Sequence, residues 1–182
     1  MAAALATLFP KGSDSSVLHA RLTLLINRRC DDQHMVLVSV TRLHLRTFRY
    51  FPLFMIYNLA AGRQIRRADG FLRGALAGDS GRGFWTVTLW RDEGAMRAYR
   101  NSGAHLKAMP KLLHWCDEAS FVHWTQEEAT LPSGEVALER LRSSGRLSKV
   151  RRPSARQAAG QTAGEYAPGL TRAVTLHPKG TR

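Results

Sequence analysis

Among the 7 histidines of this 182-residue chain, His105 has the most constrained surroundings. It follows the break Asn101-Ser102-Gly103, and Met109 stands one helical turn beyond it on the same face. An imidazole so placed can bind iron or exchange a proton near neutral pH; its structural alternative is a hydrogen bond that fixes the break. Asn101 and Ser102 can hold a substrate oxygen or cap helix ends. His105, Asn101 and Ser102 are therefore the candidate catalytic residues, and His105 is the candidate cofactor ligand. Trp85, Trp90, Tyr99 and Met109 are the candidate substrate-binding residues, because they offer aromatic and polarizable surface nearby. For Trp85, Trp90, Trp115 and Trp124 the alternative to an aromatic ligand box is a place in the core or at a dimer contact.

Other chemistries find less support. His44 and His123 fall on different strands and could face one another, but no third ligand follows at a usual spacing, so no metal site is expected. Cys30 and Cys116 make neither a disulfide framework nor a metal-ligand pattern. Arg63, Arg66, Arg67 and Arg73 could hold an acidic group, although a solvated helix end accounts for the first three. No phosphate loop, nucleophile elbow or paired-carboxylate arrangement stands out.

The elements that must position these residues follow from periodicity. Val36 to Leu45 alternates as a strand, and Phe48 to Arg67 changes to a helical period with Pro52 in its first turn. Phe71 to Ala77 and Phe84 to Trp90 flank the turn GDSGRG and form a hairpin. Trp85, Val87 and Leu89 share one face of the second of these strands; Phe84, Thr86, Thr88 and Trp90 share the other. Asp92 caps a helix carrying Ala95, Met96 and Tyr99, Ser102 caps a new turn carrying His105, and Pro110 suits the first turn of a further helix. Ala119 to Trp124 returns to strand. The order is βαββαβ, an α+β ferredoxin-like fold with both helices on one face of an antiparallel sheet. The other sheet face carries large apolar residues and calls for a second chain, most simply a homodimer through that face.

The domain is expected over residues 34–130, preceded by a flexible extension over 1–33. A C-terminal helix with Val136, Leu138 and Leu141 and a basic segment follow over 131–155, and a disordered tail of Ala, Gly, Gln and Thr over 156–182. Met35 stands before the first convincing strand, which suggests it as an alternative start. Residues 131–182 hold 10 of the 27 basic residues and 3 of the 14 acidic ones, so most of the net charge of +13 sits in that tail. Such a tail is a solvated appendage rather than a reader of bases, and nucleic acid is not the expected partner. The opening segment is a poor secretory signal, and the longest apolar run, Phe51 to Ala61, is too short to span a bilayer; a cytoplasmic protein without a transmembrane segment is expected.

The stretches FWTVTLWRDEGAMRAYRNSGAH at 84–105 and AMPKLLHWCDEASFVHW at 108–124, and more loosely RRADGFLRGAL at 66–76, resemble the dimeric α+β barrel superfamily. Within it the chain resembles the antibiotic-biosynthesis-monooxygenase-like proteins, nearest to the branch of spheroidene monooxygenase and its relatives. The resemblance covers roughly residues 35–150. It implies a cavity between sheet and helices in each subunit and dimerisation through the sheets. It also implies monooxygenase chemistry on a hydrophobic small molecule, a carotenoid or other polyene or a quinol-like compound, with haem as a candidate cofactor at His105. The alternative is a dimeric ligand-binding protein of the same fold without turnover.

Overall fold

The computed structural model describes residues 35–169 and 172–180, so the extension expected over residues 1–33 lies outside the described residues. The chain runs β1 (Val36–Leu45), a single 3-10 turn (Phe48–Tyr50), α1 (Phe51–Ile65), β2 (Phe71–Gly78), β3 (Gly83–Trp90), α2 (Glu93–Arg100), α3 (Gly103–Trp115) and β4 (Cys116–Gln126). These four strands lie in the order β4-β1-β3-β2, every neighbouring pair antiparallel. That is the ferredoxin-like βαββαβ arrangement expected from the sequence. Pro52 occupies the first turn of α1. The Asp92 carboxylate accepts from the Ala95 amide at 2.7 Å and starts α2.

Pro110 departs from expectation. It lies inside a continuous α3 rather than opening a further helix. Its ring removes the bond to the Leu106 carbonyl, but Leu106 and Pro110 are both exposed, so water can take that acceptor.

The second departure concerns the sheet face thought to be bare. Val38, Val40, Trp85, Val87, Leu89 and Val122 lie on it, and none is more than 4 % exposed. They are covered by the same chain. A fourth helix, α4 (Gly134–Ser144), lays Ala137, Leu138 and Leu141 on them, and Ala163 joins the cluster. The premise of a homodimer through this face is thereby overturned, because the apolar surface that called for a partner is already buried. Within α4 the expected apolar stripe is corrected too: Val136 points outward, and Ala137 takes its place in the core.

The basic segment expected over 131–155 and the tail expected to be disordered over 156–182 supply the rest of the cover. A two-residue strand β5 (Arg146–Leu147) pairs with β4, a short helix α5 (Ala155–Ala158) follows, and β6 (Val174–Leu176) pairs with β2. The sheet thus becomes six-stranded, β5-β4-β1-β3-β2-β6. Composition missed this because hydrogen bonds, more than apolar burial, hold the segment. The Gln157 side chain accepts from the Ala119 amide at 3.1 Å and donates to the Ser148 carbonyl at 2.8 Å, while Thr162 donates to the Leu141 carbonyl at 2.6 Å. Both edges of the four-stranded sheet are covered in this way. Among the described residues no helix is long and apolar enough to cross a membrane.

Candidate active site

Between the helical layer and the sheet lies a cavity of about 320 Å³. Its floor is the face of the sheet opposite α4: Ser39, Thr41 and Leu43 from β1, Thr86, Thr88 and Trp90 from β3, and Phe121 and His123 from β4. These residues meet there because strand alternation sends every second side chain to one face, and the register aligns them across strands, with Ser39 opposite His123 and Thr41 opposite Phe121. The roof comes from α1 (Phe54, Tyr57, Asn58), α2 (Met96, Tyr99) and α3 (His105, Met109, Leu112), and Leu176 of β6 closes one side.

His105 sits in this wall with its place fixed on three sides. Its Nδ1 lies 3.1 Å from the Arg100 carbonyl, so Nδ1–H donates and Nε2 is left as the bare ring nitrogen. Its backbone amide donates to the Gln64 side-chain oxygen at 2.9 Å. Its ring packs against Tyr99 with centroids 4.9 Å apart. Burial holds the imidazole pKa below its ordinary value and outweighs the Arg100 carbonyl, which pulls the other way. At neutral pH the ring is an uncharged base. His123 is likewise depressed, chiefly by burial. Burial also raises the Tyr99 phenol, whose hydroxyl donates to the Ala61 carbonyl at 3.3 Å.

Trp90, Tyr99, His105 and Met109 are brought together at the cavity. Trp85 is not. It lies on the opposite sheet face, where its indole donates to Asp79 at 3.2 Å and its ring packs in the core under α4. Asn101 and Ser102 do not line the cavity either. Asn101 is the exposed C-cap of α2 and accepts from Arg100 at 3.1 Å. Ser102 donates to the Tyr99 carbonyl at 3.2 Å and accepts from Gln64 at 3.1 Å. Both belong to the break that places His105. His44 and His123 occupy opposite faces, and His44 Nδ1 lies 2.6 Å from Asp117, so the two do not form a metal pair. No metal-binding cluster occurs among the described residues.

Sequence reasoning passed over Gln64. From the end of α1 it donates to the Tyr99 and Ser102 carbonyls at 3.2 and 3.0 Å while accepting from the His105 amide, and so clamps the start of α3. No local signal marks it, since its partners lie 35 to 41 residues away. His123 as a cavity residue was within reach through strand alternation with Phe121. A more open cleft of about 500 Å³, lined by Arg63, Gln64, Arg67 and Ser102 among others, contains no imidazole.

Haem does not fit this cavity. A volume of about 320 Å³ is at the low end of the roughly 300–1,000 Å³ typical of small-molecule sites, and a tetrapyrrole with two propionates needs more. The Tyr99 ring packed on His105 further narrows the approach to that imidazole.

No curated protein matches the chain by sequence. Solved structures with a similar course include a conserved protein from Methanosarcina mazei Go1, at 13% identity and TM-score 0.47 over 52% of this chain and 96% of that one. SnoaB, a cofactor-independent oxygenase from Streptomyces nogalater, is similar at 15% identity and TM-score 0.42 over 52% of this chain and 94% of its own. A Pseudomonas aeruginosa protein is similar at 14% identity and TM-score 0.43 over 54% of this chain and 98% of that one. Residues 56–111, which run from the first turns of α1 past His105 into α3, match the family described as antibiotic biosynthesis monooxygenase, and in that segment the chain is similar to it.

Proposed function

We propose that the chain is a monooxygenase-type enzyme acting on a compact electron-rich aromatic, such as a quinol or phenol, with His105 as the proton-transfer group. The observation that carries this reading is an uncharged, half-buried imidazole in the wall of an otherwise largely apolar cavity, with only Nε2 left to act. The family match of the segment containing His105 supports oxygen chemistry. A volume of about 320 Å³ suits one to three fused rings better than a full-length carotenoid, which narrows the substrate class to the quinol-like side.

Protein side chains supply no redox equivalents, and in this reading the electrons come from the electron-rich substrate. His105 Nε2 takes the hydroxyl proton, and the oxyanion transfers electron density to dioxygen at a ring carbon bearing hydrogen. A carbon–oxygen bond forms and gives a peroxide. Loss of that carbon's proton then breaks the O–O bond. One oxygen atom remains as a carbonyl, and the other leaves as water with the two protons the substrate has lost. Burial assists by keeping the base neutral and excluding water.

Oxygen uptake with a series of quinols and phenols tests the reading, read beside ligand binding by tryptophan fluorescence. His105→Gln should lower turnover by about a hundredfold or more while binding persists. Unchanged turnover in that variant would refute the role of His105. Binding without any oxygen uptake in the parent protein would assign the cavity to ligand binding alone.

A further inference from the structure

α1 is apolar on nearly its whole circumference. Phe54, Tyr57, Asn58 and Ala61 face the cavity, yet Leu53, Ile56 and Leu59 on its other side are 49, 59 and 55 % exposed. Phe48 and Phe51 extend the patch at its N-terminal end, with rings 6.3 Å apart and Phe48 66 % exposed. A helix greasy on all sides is normally buried on all sides. Among the described residues nothing covers this side, and an aliphatic and aromatic patch of this kind marks an interaction surface.

Its surroundings are predominantly basic; the nearest acid, Asp69, lies beside Arg63 and Arg67 and is paired with Arg91. The sequence contains no aspartate or glutamate between Met35 and Ala68, or between Gly94 and Cys116, which together include all of α1 and α3. Arg49 flanks the patch at one end, Arg63, Arg66 and Arg67 lie at the other, and Lys107 projects from the neighbouring α3; all are exposed, and none has an ion-pair partner among the described residues. Apolar side chains ringed by unpaired cations match an anionic lipid surface, where the former enter the acyl boundary and the latter meet the headgroup phosphates. A second copy of the chain fits less well, since an isologous contact would press two predominantly basic surfaces together.

We propose that the outer face of α1, with its flanking arginines and Lys107, docks on an anionic phospholipid bilayer. The contact is peripheral, because α1 has 15 residues and its inner face is committed to the cavity. This inference stands apart from the catalytic reading, since it concerns the opposite side of the helix.

Co-sedimentation of the full chain with vesicles tests it, comparing phosphatidylcholine alone with phosphatidylcholine mixed with phosphatidylglycerol. The expected result is binding to the mixed vesicles that weakens with salt and falls by about tenfold or more in Ile56→Glu and in Arg63→Glu. Arg140→Glu makes the same charge change on α4, across the sheet, and should leave binding within about twofold. Circular dichroism confirms that each variant is folded. Absence of binding, or equal loss in Arg140→Glu, would overturn the proposal by leaving only general attraction to a basic protein. A solution dimer dispersed by Ile56→Glu would overturn it in favour of a second copy.

Discussion

An imidazole whose Nδ1 is tied to a backbone carbonyl can do only what Nε2 can reach, so the protonation state of His105 decides whether the site works. Because burial lowers its pKa, the neutral form persists below the ordinary histidine range. The acid limb of a rate profile should therefore fall below about pH 6.5, and it should vanish in His105→Gln. The sign for stability agrees. A ring that resists protonation when folded favours the folded state above the ordinary histidine pKa, and that advantage is lost as pH falls through the depressed value.

On the other sheet face Arg42 donates to Asp79 at 3.3 Å and to Glu118 at 2.5 Å with nearly all of its side chain buried. Burial opposes the charge on both carboxyls, but the Gly81 amide, the Trp85 indole and Arg42 hold Asp79 below its usual range, and Arg42 with Ser154 does the same for Glu118. Arg42→Leu should cost about 3 kcal/mol in urea melts at pH 7. That loss should shrink as pH drops through the carboxylate range, since these depressed groups stabilise the fold only while ionised. At this scale much was legible in the sequence. Alternation along β3 already separates Trp85 from Trp90, so the two could not have lined one cavity.

Among the elements, the junction of α2 and α3 does the positioning. Gly103 holds φ +53°, and a Cβ there would stand 2.9 Å from the Gln64 amide. Gly103→Ala should therefore destabilise by about 1–2 kcal/mol, seen in thermal melts, and should loosen the clamp on His105. The sequence showed the break and its residue types, but it hid the clamp, whose other half comes from the end of α1. It also showed a helix after Pro132 without showing what that helix covers. Leu141 of α4 is fully buried against the sheet, and Leu141→Ala should cost about 3 kcal/mol.

For the molecule as a whole, the four central strands and their order were readable from periodicity because each spans a strong, regular pattern. The closure of the sheet was not, since it depends on polar residues such as Gln157 and Thr162 that carry no periodic signal. The consequence is testable at Val122, which is 4 % exposed. Were that face a dimer seam, Val122→Glu would give folded single chains. With the face closed in cis, the substitution should instead unfold the protein, read as loss of the circular dichroism signal.

Leu176, near the end of the chain, is 3 % exposed and is part of the cavity wall. During synthesis β6 follows every strand of the central sheet, so the chamber stays breached until β6 has been made and has paired with β2. A protease that clips the last strand from the finished protein would reopen the same gap, and ligand retention should fall before the rest of the fold gives way.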